Sequence, residues 1–175
     1  MVDLELIILG ALQGMPMHGY GLRQGLMASY GNRYFKLSNS SLYRALAKLE
    51  SEGCIEGKKV PQENVPDRMM YNITEAGKKK LKKKAATPVK PSTTPGGYDF
   101  DFKTQAVHFG MLTKEERRRV TQPLYENSGE ELKEALSKHE KFGQYLDRYQ
   151  LAVLEQGIEE LKHKHQFYGR LMEME

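Results

Sequence analysis

The chain of 175 residues contains a single cysteine, Cys54, and no long uninterrupted hydrophobic run. One thiol cannot form an intrachain disulfide, which favours a reducing compartment. Because Cys54 stands between Gly53 and Ile55 and no second cysteine could resolve an oxidised thiol, we interpret it as buried filler and not as a redox sensor. No apolar segment approaches the roughly 20 residues that cross a bilayer, and Asp3 and Glu5 stand where a signal peptide carries basic residues. We therefore expect a cytoplasmic protein with no membrane partner.

The signatures of common enzymes are also missing. The sequence has no CxxC pair, no nucleophile elbow, and no glycine-rich phosphate loop that follows a predicted strand. His163 and His165 are two residues apart on a predicted helix and so point to roughly opposite sides, which prevents them from sharing a metal ion. We expect no catalytic residue, no metal site and no cofactor.

The charge is divided unevenly along the chain. The 27 Lys and Arg residues outnumber the 23 Asp and Glu residues, which gives a formal net charge of +4. Residues 1–90 carry a net charge of +7, whereas residues 91–175 carry −3. A basic half joined to a mildly acidic half is typical of a polyanion-binding module attached to a second domain, although charge on a small domain often serves only solubility.

The stretch Ser38–Glu52 is the clearest helix of the basic half. Leu42, Leu46 and Leu49 recur at helical spacing, and the hydroxyl of Ser38 is suited to cap the first turn. The opposite face is polar and consists of Asn39, Ser40, Tyr43, Arg44 and Lys48. A helix with an apolar back and a front of hydrogen-bond donors is what a reader of the DNA major groove requires.

The surrounding elements place this helix in a winged helix-turn-helix. The pattern predicts a buried first helix, a second helix over Gly19–Tyr30 ended by Gly31 and Asn32, and strands over Ile55–Val60 and Met69–Ile73. Thr74 begins a fourth helix that carries a run of lysines, Lys78–Lys84. We therefore predict a mainly α protein whose residues 1–84 form a DNA-binding domain of three helices and a two-stranded wing.

A second domain follows a linker. Residues 85–99 contain three prolines and two glycines, and residues 100–175 return to a helical pattern that Pro123 and Gly129 interrupt. An amphipathic pattern over residues 132–149 predicts one long helix, and the last helix carries a seam at alternating spacings of three and four, formed by Leu151, Leu154, Ile158, Leu161, His165, Tyr168 and Met172. The seam fits packing against residues 132–149 of the same chain or against a second subunit; we favour a dimerisation domain because a homodimer presents two reading helices to palindromic half-sites.

Several short motifs of the basic half resemble the PadR family of bacterial transcriptional regulators. They occur in the family's order and comprise Ile8-Leu-Gly, His18-Gly19-Tyr20, Ser41-Leu42-Tyr43, Ala45-Leu46, Leu49-Glu50, Glu52-Gly53, Ile55-Glu56 and Tyr71-Asn-Ile-Thr74-Glu-Ala-Gly77. The C-terminal half is similar in pattern to the helical dimerisation domain of the longer branch of this family. The resemblance implies a repressor of an inverted-repeat operator, released in some members by a small aromatic or phenolic effector. A hollow between the domains that uses Tyr98, Phe100, Phe102 or Phe109 is our hypothesis for such an effector.

The residues expected to contact double-stranded DNA fall into two groups. Base reading is assigned to Asn39, Ser40, Tyr43 and Arg44, three of which stand where the family commonly has Pro-Gly before Ser-Leu-Tyr and Pro after it; Tyr43 has the alternative of filling a crevice and reaching a phosphate. Phosphate contact is assigned to Lys48, Lys58, Lys59 and Arg68. His18 and Tyr20 fit either a structural turn or a DNA backbone contact, and the Lys78–Lys84 run fits either a solvated face or nonspecific DNA affinity. The rival hypothesis is an adaptor whose winged helix binds another protein.

Overall fold

The computed structural model describes residues 3–34, 37–61, 68–89 and 100–174. Its elements are α1 (Leu4–Gly14), β1 (Met17–His18), α2 (Gly19–Tyr34), α3 (Asn39–Ser51), β2 (Ile55–Val60), β3 (Arg68–Ile73), α4 (Glu75–Ala85), α5 (Phe100–Ala106), a 3-10 turn (Phe109–Met111), α6 (Lys114–Phe142), a second 3-10 turn (Gly143–Tyr145) and α7 (Arg148–Glu173). The chain divides into two compact units, one of Met1–Ala85 with Phe100–Met111 and the other of Ala86–Asp99 with Leu112–Glu175. Tyr98 and most of the predicted linker lie outside the described residues.

The core of the first unit is built around α1, which is apolar on nearly every side. Its buried side chains are Leu6, Ile7, Ile8, Leu9 and Leu12, and α2, α3, α4 and β3 all pack against this helix. Asp3 caps it by accepting a hydrogen bond from the Leu6 amide at 3.1 Å. The predicted buried first helix is confirmed, and it forms the platform on which α3 rests.

The sheet of the first unit has three antiparallel strands in the order β1-β3-β2. The predicted wing pair is present, with Ile55 opposite Ile73 and Val60 opposite Arg68. The prediction of a two-stranded sheet missed β1, in which Met17 pairs with Tyr71 and His18 with Met70. Two residues are too few to show the alternation by which a strand is recognised in a sequence. This short strand fixes the start of α2 beside the wing.

The second helix is longer than its sequence indicates. The prediction ended it at Tyr30 before Gly31 and Asn32, whereas α2 continues to Tyr34. Glycine and asparagine lower helix propensity by about 1 kcal/mol or less, which weakens a helix but does not end it. The helix-turn-helix pair α2 and α3 is otherwise as predicted, and the first unit is a winged helix-turn-helix.

Residues 100–111, which the sequence analysis assigned to the C-terminal domain, pack on the first unit. Phe100 meets Tyr30 edge-on with ring centroids 5.8 Å apart. The Gln105 amide donates hydrogen bonds of 2.8 Å to the carbonyls of Lys84 and Ala85, which would otherwise be unpaired at the end of α4. This segment therefore caps α4 and extends the core of the winged helix-turn-helix.

The second unit is an antiparallel pair of long helices. Thr113 and Glu116 form a capping box at the start of α6, and Asp147 and Gln150 form another at the start of α7. The predicted interruption at Pro123 is wrong, because this exposed residue lies inside the continuous helix α6. A proline removes one backbone hydrogen bond, and the packing of α6 along α7 compensates for that loss.

The single helix predicted over residues 132–149 is also wrong. The structure ends α6 at Phe142 and begins α7 at Arg148, so that Leu146 and Tyr149 belong to a turn and to the next helix. The cap at Asp147 decides the boundary, since its carboxylate accepts hydrogen bonds from the amides of Tyr149 and Gln150 at 2.8 and 2.9 Å. None of the helices in the described ranges has both the length and the apolar character needed to cross a membrane.

Candidate nucleic-acid interface

The helix α3 presents one fully buried face and one exposed face. Leu42, Leu46 and Leu49 are 0–1% exposed. The predicted base-reading residues Asn39, Ser40, Tyr43 and Arg44 are all exposed on the other side. Ser38 caps the helix as predicted, because its hydroxyl accepts from the Ser41 amide at 3.1 Å. The structure therefore brings the four predicted readers together on the first two turns of one helix.

A concavity of about 280 Å³ lies beside these turns, between the start of α2 and the wing. It is lined by His18, Gly19, Tyr20, Tyr43, Arg68, Met69 and Tyr71. The ring of Tyr43 lies so close to Gly19 that a Cβ at this glycine would be 2.9 Å from the Tyr43 hydroxyl. Tyr43 therefore packs against the backbone of Gly19 while remaining 49% exposed.

His18 and Tyr20 have structural partners at the start of α2. The Nδ1 atom of His18 accepts a hydrogen bond of 2.8 Å from the Gly21 amide, so this histidine caps the helix. The Tyr20 hydroxyl accepts from the side-chain amide of Gln24 at 2.7 Å. Tyr20 is 61% exposed all the same. The turn interpretation fits His18, and Tyr20 keeps a surface from which a polyanion can be contacted.

Sequence reasoning missed Met69 and Tyr71 in this concavity. Burial, and to a smaller degree the nearby Glu50 carboxylate and Tyr43, raise the pKa of the Tyr71 hydroxyl, so it stays protonated and able to donate a hydrogen bond. The signal that could have found both residues is the strand register, because residues two apart on β3 share one face of the wing.

The predicted phosphate-binding residues of the wing do not share one face. Lys58 and Lys59 are neighbours on β2, so their side chains point to opposite sides of the sheet. Lys59 is paired with Met69 and thus lies on the side of the concavity, whereas Lys58 is paired with Met70. The Lys58 ammonium is also 3.0 Å from the Glu56 carboxylate. Arg68, at the start of β3, lines the concavity next to α3.

Lys48, the fourth predicted phosphate contact, is held by a carboxylate of α1. Its ammonium is 2.5 Å from Glu5 Oε1, and Lys80 and Lys84 of α4 approach Glu5 Oε2 to 2.9 and 3.2 Å. Partial burial alone would raise the pKa of the Glu5 carboxyl, but the hydrogen bonds from these three lysines outweigh it and lower the pKa from 4.5 to about 2. The pairing of Glu5 with Lys48 was not predicted from the sequence, where the two residues lie 43 positions apart.

Part of the Lys78–Lys84 run belongs to the same group of charges. Lys84 is 2.7 Å from Asp3, Lys80 also pairs with Glu52, and Lys78 pairs with Glu75 at 2.7 Å. These lysines are therefore paired within the protein, which favours the structural interpretation of the run over a DNA-binding one.

The seam predicted on α7 packs against α6 of the same chain. Ile158, Tyr168 and Met172 are buried there, and the other seam residues, Leu151, Leu154, Leu161 and His165, are half-buried. His165 stacks on Tyr125 of α6 with ring centroids 4.0 Å apart. The intramolecular packing that the sequence left open is thus present.

The histidines considered as metal ligands do not form the site considered for them, and neither do the phenylalanines suggested for an effector hollow. His163 is exposed and His165 faces α6, and no group of three metal-ligating side chains occurs within the described ranges. Phe102 and Phe109, suggested for an effector hollow, are buried against each other with ring centroids 5.7 Å apart.

Comparison with known proteins identifies the first unit. The sequence model described as the "Transcriptional regulator PadR-like family" matches residues 8–83. These residues are a PadR-like domain. The match begins in α1 and ends in α4, so it includes the whole of α3 and the wing.

Solved structures resemble this chain over different lengths. Bacillus subtilis PadR in complex with operator DNA is 20% identical and matches 97% of this chain and 95% of its own, with a TM-score of 0.45. The smu.1604c protein of Streptococcus mutans UA159 is 22% identical over 97% and 98% of the two chains, with a TM-score of 0.47. The regulator Cth-833 of Clostridium thermocellum is 27% identical over 46% and 77%, with a TM-score of 0.43. No match was found among curated proteins.

Proposed function

We propose that this protein is a sequence-specific DNA-binding repressor that recognises an inverted-repeat operator as a homodimer and has no catalytic activity. The observation that carries the proposal is the exposed face of α3, where Asn39, Ser40, Tyr43 and Arg44 stand together beside a concavity lined by Arg68. This arrangement lies within the part of the chain that belongs to a family of transcriptional regulators.

The base-reading role rests on donor geometry. The Arg44 guanidinium can donate two hydrogen bonds to guanine, and the Asn39 amide can pair with adenine. Both side chains lie within the first two turns of α3, the end of a recognition helix that meets the base edges. We propose that Lys59 and Arg68 contact phosphates, because they lie on the side of the concavity, and that Lys58 does so from the opposite face of the wing.

Arg44→Ala tests base reading. Once an operator has been selected from random duplexes, the variant is expected to lose about 1–3 kcal/mol of its preference for that operator over a scrambled duplex. Fluorescence anisotropy with both duplexes measures this difference. Arg119→Ala, which removes one exposed arginine from α6, is the matched control and should keep the preference. An unchanged preference in Arg44→Ala would remove α3 as the reader.

The dependence on salt separates DNA binding from the adaptor alternative. Roughly three phosphate contacts from each subunit give six for the dimer. At about 0.9 for each contact, the slope of log affinity against log salt concentration is then roughly −5. A flat response, together with equal affinity for all duplexes, would favour a winged helix that binds another protein.

The homodimer is proposed to form through the second unit. Large apolar side chains stay exposed where α6 ends and α7 begins, notably Phe142, Tyr145, Tyr149 and Val153, which are 55–76% exposed. A set of this size at one end of a helical pair is what a subunit contact would cover. The half-buried seam residues Leu151, Leu154 and Leu161 lie on the same helix and are proposed to extend the interface.

Val153→Glu in the full chain tests this surface. Sedimentation velocity should show a dimer for the unaltered protein and a shift toward monomer for the variant, with an unchanged helical circular dichroism spectrum. Gln156→Glu, also exposed on α7, adds the same charge and should leave the dimer intact. If Val153→Glu remains as dimeric as the control, the contact lies elsewhere.

Release by a small aromatic or phenolic effector is proposed from the family resemblance. Because the rings of Phe102 and Phe109 pack against each other, we do not assign these residues to a binding hollow. Titration of the operator complex with p-hydroxycinnamic acids tests the proposal; a fall in anisotropy at constant salt would support release, and an unchanged signal would oppose it.

A further inference from the structure

The ammonium of Lys48 projects from the exposed side of α3, but it is paired with a carboxylate of the same protein. Lys48 follows Arg44 by one helical turn and therefore lies on the same face of α3. Its side chain is 58% exposed, yet its ammonium is 2.5 Å from Glu5 Oε1 and 3.9 Å from Glu52 Oε1. A cation in the expected position for a phosphate contact thus already has a carboxylate partner.

The partner is held firmly by a second set of contacts. The side chain of Glu5 is 16% exposed and its other oxygen accepts from Lys80 and Lys84. If Lys48 left, the Glu5 carboxylate would lose a charge-assisted hydrogen bond at a position with little access to solvent. The pair on the wing differs, since Lys58 and Glu56 are 67% and 52% exposed and can exchange partners at little cost.

We propose that Glu5 limits the affinity of this protein for DNA by holding Lys48 in an ion pair, so that Lys48 does not contact a phosphate. The inference rests on the proposed DNA-binding function and assigns Glu5 as a positioning residue for the reading helix. A lysine that stays paired with Glu5 neutralises no phosphate, and so it releases no counterions from DNA. The effect is sequence-independent, so it lowers nonspecific binding as much as operator binding and leaves discrimination to Arg44 and Asn39.

Glu5→Gln removes the anion that holds Lys48 while preserving the size of the side chain. In the full chain, the variant is expected to bind operator and scrambled duplex more tightly by the same factor, roughly three- to tenfold for each freed lysine. The slope of log affinity against log salt should steepen by about 0.9 for each lysine. Glu134→Gln, on the exposed surface of α6, changes the net charge equally and should alter neither quantity.

Lys48→Gln completes a double-mutant cycle. Alone it should leave the salt slope unchanged, and in the Glu5→Gln background it should remove the gain that belongs to Lys48. A slope that becomes shallower by about 0.9 for each copy of Lys48 in Lys48→Gln alone would show that Lys48 contacts a phosphate and would overturn the proposal. So would a Glu5→Gln variant that folds and binds like the unaltered protein. If Glu5→Gln does not fold, the Lys48→Gln slope still decides the question.

The same measurements separate this inference from the proposed function. If the unaltered protein shows no salt-dependent binding to any duplex, both the DNA-binding function and the role of Glu5 are wrong. Salt-dependent, operator-selective binding with the contrary slopes ends the role of Glu5 alone.

Discussion

The ring of Tyr43 lies directly over the backbone of Gly19, so that a Cβ at this glycine would approach the Tyr43 Cε1 and hydroxyl oxygen to 2.9 Å. The contact joins the start of α2 to the exposed face of α3. It explains why glycine fits between His18 and Tyr20: any side chain here would displace Tyr43 from its crevice.

Gly19→Ala is therefore expected to weaken DNA binding more than it weakens the fold. Tyr43 is half-exposed and can turn away, so the loss of stability should stay below about 1 kcal/mol, whereas a misplaced Tyr43 should reduce operator affinity. Gly25→Ala in the same helix is the control, because its Cβ would meet only Met17 Cε, at 3.5 Å. Anisotropy and thermal unfolding of both variants measure the two effects. Equal affinities would show that the position of Tyr43 is irrelevant to binding.

Gly77→Ala should destabilise the first unit. The new Cβ would collide with the backbone carbonyl of Cys54 and would lie 2.8 Å from Ile73 Cγ1. A backbone atom cannot turn aside as a side chain can, so the cost is expected near the upper end of the overpacking range, about 3 kcal/mol. Gly14→Ala, which meets nothing within 4 Å, should be neutral or stabilising. Urea unfolding followed by circular dichroism compares them; equal midpoints would contradict the close approach of α4 to Cys54.

Local signals were enough to predict helix α3 and the wing. The leucines of α3 repeat at helical spacing and Ser38 carries a capping hydroxyl, so both its face and its start follow from neighbouring residues. The opposite orientations of Lys58 and Lys59 also follow from the period of a strand, once the register is known.

What could not be predicted depends on contacts between distant residues. The ion pair of Glu5 with Lys48 joins α1 to α3, and no periodicity links them. The packing of residues 100–111 on α4 depends on Gln105 meeting the carbonyls of Lys84 and Ala85. Pro123 stays helical because α7 lies alongside α6, a tertiary effect that overrides local propensity.

The thiol of Cys54 is expected to react slowly in the native protein. It is 5% exposed and belongs to the core of the first unit, so a thiol reagent reaches it only after a local opening. Labelling should be roughly 100-fold slower than for an exposed thiol, which corresponds to an opening free energy of about 3 kcal/mol. The exposed reference is Cys54→Ala with Ala152→Cys on α7. Comparable rates for the two thiols would contradict the interpretation of Cys54 as buried filler.

The depressed pKa of Glu5 predicts a specific loss of stability in acid. Because the pKa of the folded state is about 2 and that of an ordinary glutamate is 4.5, the ionised carboxylate stabilises the fold fully above pH 4.5. That contribution is lost as the pH falls through the folded value. Glu5→Gln should therefore lower the free energy of unfolding at pH 7, by about 1–2 kcal/mol once solvent screening of the lysines is allowed for, and the difference should disappear near pH 2. Glu56→Gln, which removes an exposed carboxylate paired with one lysine, is the matched control and should change little at either pH. Urea unfolding at intervals between pH 2 and pH 7 measures both; a difference for Glu5→Gln that persists unchanged to pH 2 would show that the ion pairs of this carboxylate do not stabilise the fold.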